Sequence, residues 1–235
     1  MHLLRTVWDD LLGLLYPRIC PLCGIPLQQG EAHLCIDCLC NLPRTNSHRL
    51  PRGTSSIETP FAGYPAVHRV VAFLRFEQEG PAQRLIHQFK YHGDEQLAIY
   101  LGHQAAQELR AEGCFTDVDR LVPVPLHPRK MRQRGYNQSE RIARGFASIY
   151  GIPIDTDTLV RRAYTETQTR KSAYDRHLNM ENVFTTIHPE RLAGHHILLI
   201  DDVLTTGSTL LGCIDALHTV PDLRISLFTV ATVLD

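Results

Sequence analysis

The sequence predicts an α/β fold in which a mostly parallel sheet is flanked by helices and a small cysteine-rich module precedes it. Two observations carry this expectation. From Val67 onward, apolar runs of strand length alternate with amphipathic stretches of helical period, the pattern of a parallel sheet covered on both faces. Upstream, five of the seven cysteines fall between positions 20 and 40, far denser than chance spacing. A chain of 235 residues, 43% hydrophobic and 21% charged, can bury a full-sized core and is not disordered throughout. Lysine and arginine total 24 against 25 acids, for a net charge of −1, which excludes a globally basic coating protein.

Taken in order, Val67 to Phe76 reads as a strand, Pro81 to Lys90 and Gln96 to Ala111 as helices, and Leu121 to Pro125 as a short strand. Ser139 to Tyr150 reads as a helix, His196 to Ile200 as a buried strand, Ser208 to His218 as a helix and Ile225 to Leu234 as the closing strand. In such sheets ligands bind outside the carboxyl ends of the strands. At the N-terminus, Leu3, Leu4, Val7, Trp8, Leu11, Leu12, Leu14 and Leu15 recur at helical spacing, predicting a helix that packs its apolar stripe inward. Asp9 and Asp10 interrupt these leucines and no A-x-A-like site follows, so no signal peptide is expected. No apolar run reaches the ~18–20 residues of a membrane span. A cytoplasmic location is expected.

Cys20-Pro-Leu-Cys23 and Cys35-Ile-Asp-Cys38 form two C-x-x-C knuckles eleven residues apart. Four thiolates are the donor set of a tetrahedral structural Zn²⁺. An odd cysteine count and a reducing compartment argue against disulfides, and a thioredoxin-like site would use one knuckle after a strand. Cys20, Cys23, Cys35 and Cys38 are therefore the expected zinc ligands, with Cys40 and His33 as alternatives for one position. A segment of ~40 residues needs such a staple, because it cannot bury enough surface alone. Between Asn41 and Pro65 apolar periodicity gives way to proline, serine, threonine and glycine, the composition of a linker. The expected division is 1–58 for helix, zinc module and linker, and 59–235 for the α/β domain.

The strand ending at Ile200 runs into Asp201-Asp202-Val203-Leu204-Thr205-Thr206-Gly207-Ser208-Thr209, read as a loop that opens a helix. Two carboxylates at a strand end can accept hydrogen bonds from vicinal hydroxyls or hold Mg²⁺ through its waters. Hydroxyls and backbone N–H groups at a helix N-terminus form a phosphate site. The run lacks the first glycine and the lysine of G-x-x-x-x-G-K-[ST]. A ribose 5-phosphate cradle fits it best.

Residues 197–209 closely resemble the 5-phosphoribosyl 1-pyrophosphate (PRPP) motif of type I phosphoribosyltransferases. The resemblance implies that Asp201 and Asp202 hold the ribose hydroxyls and act in catalysis. It places Thr205, Thr206, Gly207, Ser208 and Thr209 on the 5′-phosphate, with Val203 and Leu204 completing the PRPP-binding run. Three further segments narrow the match: Val122-Pro-Val-Pro125 leading into His127-Pro-Arg-Lys-Met-Arg-Gln-Arg-Gly-Tyr-Asn-Gln138, then Arg161-Arg162 with Thr167-Gln168-Thr169, then Arg176 and Asn179. With the cysteine knuckles, the chain resembles the ComF family over nearly its whole length. The founding members of that family act in bacterial DNA uptake during natural competence. The implied fold is a type I phosphoribosyltransferase domain behind an N-terminal double zinc ribbon. Implied ligands and partners are PRPP with Mg²⁺, single-stranded DNA, and a DNA-uptake helicase or other competence protein.

Between Arg129 and Arg144 lie six cations and one acid. Arginine forks match phosphate oxygens, so Arg132 and Arg134 are assigned to pyrophosphate, with Arg129 and Lys130 as supporting charge. Lys90, at a helix end, reads equally as a phosphate contact or as a charge on the helix dipole. Arg161 to Arg176 holds five cations and two acids; by analogy with the loop that closes over phosphoribosyltransferase sites, Arg162, Gln168 and Arg170 are its candidates. His195 and His196 read as structural. Hypoxanthine-type family members carry an aspartate where this chain has Thr205, which speaks against purine salvage of that type. Two functions stay open: phosphoribosyl transfer to an unknown acceptor, and non-catalytic PRPP sensing or single-stranded-DNA handling.

Overall fold

The computed structural model describes residues 17–162 and 183–234. The helix expected over Leu3–Leu15, and the loop candidates Gln168 and Arg170, lie outside them. Strands β1 (Val67–Arg75), β2 (Arg120–Pro123), β5 (His196–Leu204) and β6 (Arg224–Thr232) form a parallel sheet in the order β1-β6-β5-β2. Strands β3 (Leu159–Arg161) and β4 (Phe184–Thr186) pair antiparallel beside it. The helices are α1 (Ile36–Cys40), α2 (Pro81–Tyr91), α3 (Glu95–Ala111), α4 (Pro128–Arg134), α5 (Gln138–Tyr150) and α6 (Ser208–Leu217).

Alternation along the central strands fills both faces. Leu198 and Ile200 of β5 join Phe228 and Val230 of β6 in a core with Leu85, Phe89, Leu101 and Phe146 from α2, α3 and α5. Ile197, Leu199, Ile225 and Leu227 face the opposite side, against Leu210, Cys213, Ile214 and Leu217 of α6. Each such side chain contributes roughly 1.5–3 kcal/mol on burial, which explains why these strands read as near-continuous apolar runs.

Strand β5 continues four residues past the expected end. Its partner β6 runs alongside, with Asp201 opposite Thr229 and Leu204 opposite Thr232. Asp201 and Asp202 therefore sit within the strand rather than in a loop, because ladder pairing to a neighbour overrides the low strand preference of aspartate.

The segment with linker composition is also held down. Arg44 bridges antiparallel to Leu74, the Thr45 N–H donates to Phe73 O at 3.0 Å, the Arg75 N–H donates to Pro43 O at 2.8 Å, and Ile57 and Phe61 are buried. The segment covers the outer edge of β1, which would otherwise present unpaired backbone groups. Arg44 and Arg49 fasten it to Glu108 and Glu112 at 3.0 and 2.5 Å.

Helices α3 and α5 cross at two glycines. A Cβ on Gly102 would lie 2.3 Å from Ile142 O, and one on Gly145 would lie 2.3 Å from Ile99 O and 2.4 Å from His103 N. Both obstacles are backbone and cannot swing aside. Gly145→Ala is expected to force the helices apart at a cost of about 1–3 kcal/mol, read as a lowered urea midpoint with little change in slope. An unchanged midpoint would mean that the crossing is looser than described.

Candidate functional site

Parallel pairing of β2 with β5 builds the site. Pro123 lies opposite Ile200, and the next N–H, that of Val124, donates to Ile200 O at 2.9 Å. The chain thus leaves β2 directly beside Asp201 and enters the cationic helix α4 within a few residues. Asn137 then closes the loop. Its Nδ2 donates to Val124 O at 2.9 Å, and its Oδ1 accepts the Ser139 N–H at 3.1 Å, capping α5. The Tyr136 hydroxyl donates to Phe89 O, joining this turn to α2.

The acidic pair is tightly held. Asp201 Oδ1 accepts Ser139 Oγ–H at 3.0 Å and the Asp202 N–H at 2.9 Å. Asp202 Oδ1 lies 2.8 Å from Lys90 Nζ at the end of α2. Burial, and then the neighbouring Asp202 charge, push Asp201 up to about 7, even though the Asp202 N–H, Lys90 and Ser139 favour its ionised form. Two carboxylates at adjacent positions cannot both ionise freely in a partly desolvated site.

The turn before α6 is hydroxyl-rich and exposed at Thr205, Thr206, Ser208 and Thr209. Gly207 caps the helix with φ +82°, a conformation that disfavours any side chain, and an added Cβ would meet Pro60 Cβ at 3.2 Å and Phe61 Cζ at 3.3 Å. Gly207 itself offers no capping side chain; Thr206 Oγ1 accepts the Ser208 N–H in a long 3.4 Å contact, and the exposed first turn carries the partial positive charge that suits an anion. Within the expected PRPP-binding run, Val203 packs against the core and the side chain of Leu204 is buried, and both residues pair with β6.

On α4, Arg129, Lys130 and Arg132 are exposed, while Arg134 lies over the Tyr91 ring with Cζ 5.3 Å from its centroid. Arg162 is exposed and turned toward β4, where Nη2 donates to Thr185 Oγ1 at 3.4 Å. Its neighbour Arg161 lies over the Phe184 ring at 5.2 Å. After burial, Arg161 is the leading charge that lowers the pKa of His127, ahead of Lys130, Arg129 and Arg132. Sequence reading named Arg161 only within a family-like segment and gave Ser139 no site role, although Asn137-x-Ser139 ahead of a helix is a recognisable capping pattern. The expectation that His196 is structural agrees with its burial and with its 2.9 Å contact to Ser226 Oγ.

The second centre lies in the cysteine module. The Sγ atoms of Cys20, Cys23, Cys35 and Cys38 all lie within 4.8 Å of one another, with Cys23 and Cys35 at 3.6 Å. A tetrahedral centre with ~2.3 Å metal–sulfur bonds separates its sulfurs by about 3.8 Å, so the four thiols fit zinc. Cys40 is exposed outside this group, and His33 stands beside Tyr100, ring centroids 5.3 Å apart. Burial opposes ionisation of Cys20, yet the N–H groups of Cys35, Cys23 and Leu22 pull its thiol down to about 6. Desolvation and the other thiols hold Cys38 well above its usual range, the repulsion a bound cation would relieve. Cys20, Cys35, Leu34 and Leu42 belong to the same apolar cluster as α2, α3 and α5, and Arg84 donates to Pro21 O at 3.1 Å.

A parallel sheet with an acidic pair and a phosphate-type turn at its carboxyl edge is the architecture of a phosphoribosyltransferase domain. A family model described as "Phosphoribosyl transferase domain" matches residues 134–233. Across the longer chain, the "DNA utilization protein YhgH" of Escherichia coli K12 is 32% identical over 208 residues, covering 82% of this chain and 87% of that protein. The "Competence protein ComFC" of Bacillus subtilis is 28% identical over 198 residues, covering 82% and 68%, and the "Competence protein F" of Haemophilus influenzae is 31% identical over 135 residues, covering 55% and 58%. The chain belongs to the ComF family. Among solved structures, a glutamine PRPP amidotransferase from B. subtilis is 19% identical with a TM-score of 0.39, covering 55% of this chain and 25% of that one. The Leishmania donovani adenine phosphoribosyltransferase is 14% identical with a TM-score of 0.39, covering 68% and 83%.

Two outcomes follow from this geometry. Because the folded-state pKa of Asp201 is raised, the folded chain binds its proton more tightly than the unfolded chain, whose aspartates titrate near ~4. The Asp201 contribution to stability is therefore lost as pH rises from about 4 toward 7. Asp201→Asn keeps the acceptor for Ser139 and removes that loss, so its unfolding free energy should rise relative to wild type across this window and level off above it. A pH-independent difference would contradict the raised pKa. At the cysteine centre, elemental analysis should find one zinc per chain, and Cys35→Ser should lower both occupancy and melting temperature. Full thermal stability in a metal-free wild-type chain would refute a structural metal.

Proposed function

We propose that the chain binds PRPP with Mg²⁺ at the carboxyl edge of the sheet and transfers its phosphoribosyl group to an acceptor. The observation that carries this reading is convergence. Register alone brings the acidic pair of β5, the hydroxyl turn before α6 and the cationic helix after β2 to one edge. Thr205, Thr206, Ser208, Thr209 and the α6 N-terminus receive the 5′-phosphate. Asp201 and Asp202 accept hydrogen bonds from the ribose hydroxyls. Arg129, Lys130, Arg132 and Arg134 draw the diphosphate toward α4.

In the transfer, the C1–O bond to pyrophosphate breaks with its electron pair leaving on oxygen. A lone pair of the acceptor forms the new bond to C1, and the acceptor gives up a proton. No covalent enzyme nucleophile is required. The chain's part is electrostatic: cations offset the charge gathering on pyrophosphate, and the carboxylates offset the positive charge on the sugar. The carboxylate oxygens of the acidic pair are hard donors suited to Mg²⁺ through its water shell, and the ion would supply further charge neutralisation on the diphosphate. Asp201, with its pKa near 7, can hold or release a proton at working pH.

A second reading, PRPP sensing or single-stranded-DNA handling without transfer, is favoured by two observations. Arg129, Lys130 and Arg132 are exposed on one short helix, and the relatives carry names that refer to DNA utilisation and competence. Among the described residues no helix is long and apolar enough to cross a membrane, and a cytoplasmic location is part of this proposal.

Isothermal titration of PRPP with Mg²⁺ tests the reading, with wild type binding and Asp202→Ala losing at least tenfold in affinity. Pyrophosphate release accelerated by a nucleobase or amine would establish transfer and identify the acceptor class. Binding without release would move the assignment to the sensing reading, and absence of binding would overturn the site.

A further inference from the structure

Lys90 occupies a position that the transfer scheme leaves unexplained. It lies in the last turn of α2, where the helix dipole favours a cation, and its largely buried side chain places Nζ 2.8 Å from Asp202 Oδ1. The same residue lines a cleft of about 200 Å³ with Tyr91, Gly93, Gln133 and Arg134. Among the described residues no acid lines that cleft; the charges there are the Lys90 ammonium and the Arg134 guanidinium, and Gln133 adds an amide donor. Arg134 is steadied there by the Tyr91 ring. One flexible cation thus has a carboxylate on one side and an anion-fitting cleft on the other.

We propose that Lys90 is a partner-switching positioning residue, bound to Asp202 in the empty site and transferred to the ligand's diphosphate group when that group enters the cleft beside Arg134. A lysine suits this role because its charge is compact and its four-carbon stem is flexible, whereas an arginine fork would favour one fixed geometry. While Lys90 neutralises Asp202, a divalent ion arriving alone meets a carboxylate that already has a partner. A diphosphate in the cleft draws Lys90 away and frees Asp202 for ribose hydroxyls or hydrated metal. Diphosphate and metal therefore load with positive coupling, and by linkage each strengthens the other. The inference rests on the PRPP reading above and adds the order in which that site becomes available.

The test uses the full chain and two probes, inorganic pyrophosphate without added divalent ion and Mn²⁺ alone. Lys90→Met should weaken pyrophosphate at least tenfold and tighten Mn²⁺ severalfold, because the competitor for Asp202 is gone. Asp202→Asn should do the reverse for the anion, tightening pyrophosphate severalfold by releasing Lys90. A merely structural ion pair predicts no gain in either titration. If wild type binds PRPP but neither variant gains affinity for its probe, the switch is overturned and the PRPP site stands. If wild type binds neither PRPP nor pyrophosphate, the site reading falls and the switch with it. Should Lys90→Met unfold, the Asp202→Asn titration alone decides.

Discussion

Two carboxylates at successive positions of a central strand, partly desolvated, form a charge arrangement that most folds avoid, and the surrounding structure is organised around tolerating it. Ser139 and a backbone N–H satisfy Asp201, Lys90 neutralises Asp202, and the elements carrying those groups are fixed by contacts remote from the acids. Tyr136 and Asn137 bind the turn before α5 to α2 and to the end of β2. The glycine crossing of α3 and α5 brings the two helix backbones into close contact. Charge compensation is delivered by tertiary packing, and a residual proton affinity near pH 7 remains at Asp201. Such a cost is expected where a site is prepared for a ligand rather than for stability.

The cysteine module contributes in a different way. Its four thiols converge as a closed donor set, which leaves no open position for substrate, and its apolar residues merge into the core beneath α2 and α3. Metal binding would fold a segment too small to fold itself, and that segment then packs against the helix whose last turn carries Lys90. The segment after it seals the free edge of β1 and supplies Pro60 and Phe61 beneath Gly207. The N-terminal region thereby buttresses both the lysine end and the phosphate end of the site.

Much of this was legible in the sequence, and the reasons for what was not are physical. Strand and helix positions followed from apolar period, since a sheet covered on both faces leaves a strong signal. The four cysteines and the acidic pair stood out because their chemistry is rare at such spacing. Residues whose role is set by tertiary contact were hidden. Lys90 lies more than a hundred residues from Asp202, and nothing local distinguishes a helix-end lysine from an ion-pair partner. Ser139 read only as the start of a helix, and its hydroxyl's reach to Asp201 is a contact across 62 residues of sequence. The Pro- and Ser-rich stretch after Asn41 lacks periodicity because it pairs with a strand edge through backbone groups, which composition does not encode. Arg161 and Arg162 are adjacent in sequence, and only the β3–β4 pairing gives them different partners, the Phe184 ring for Arg161 and Thr185 Oγ1 for Arg162.

The account's central claim is that one edge of the sheet holds all three parts of a PRPP molecule. A crystal structure of the chain soaked with PRPP and Mg²⁺ tests it most directly. The account predicts the 5′-phosphate in the turn at Thr205–Thr209, the ribose hydroxyls on Asp201 and Asp202, and the diphosphate between α4 and Lys90. Ligand bound instead in the cavity that Arg52, His68 and Arg69 line near the start of β1, or bound without touching the acidic pair, would contradict it.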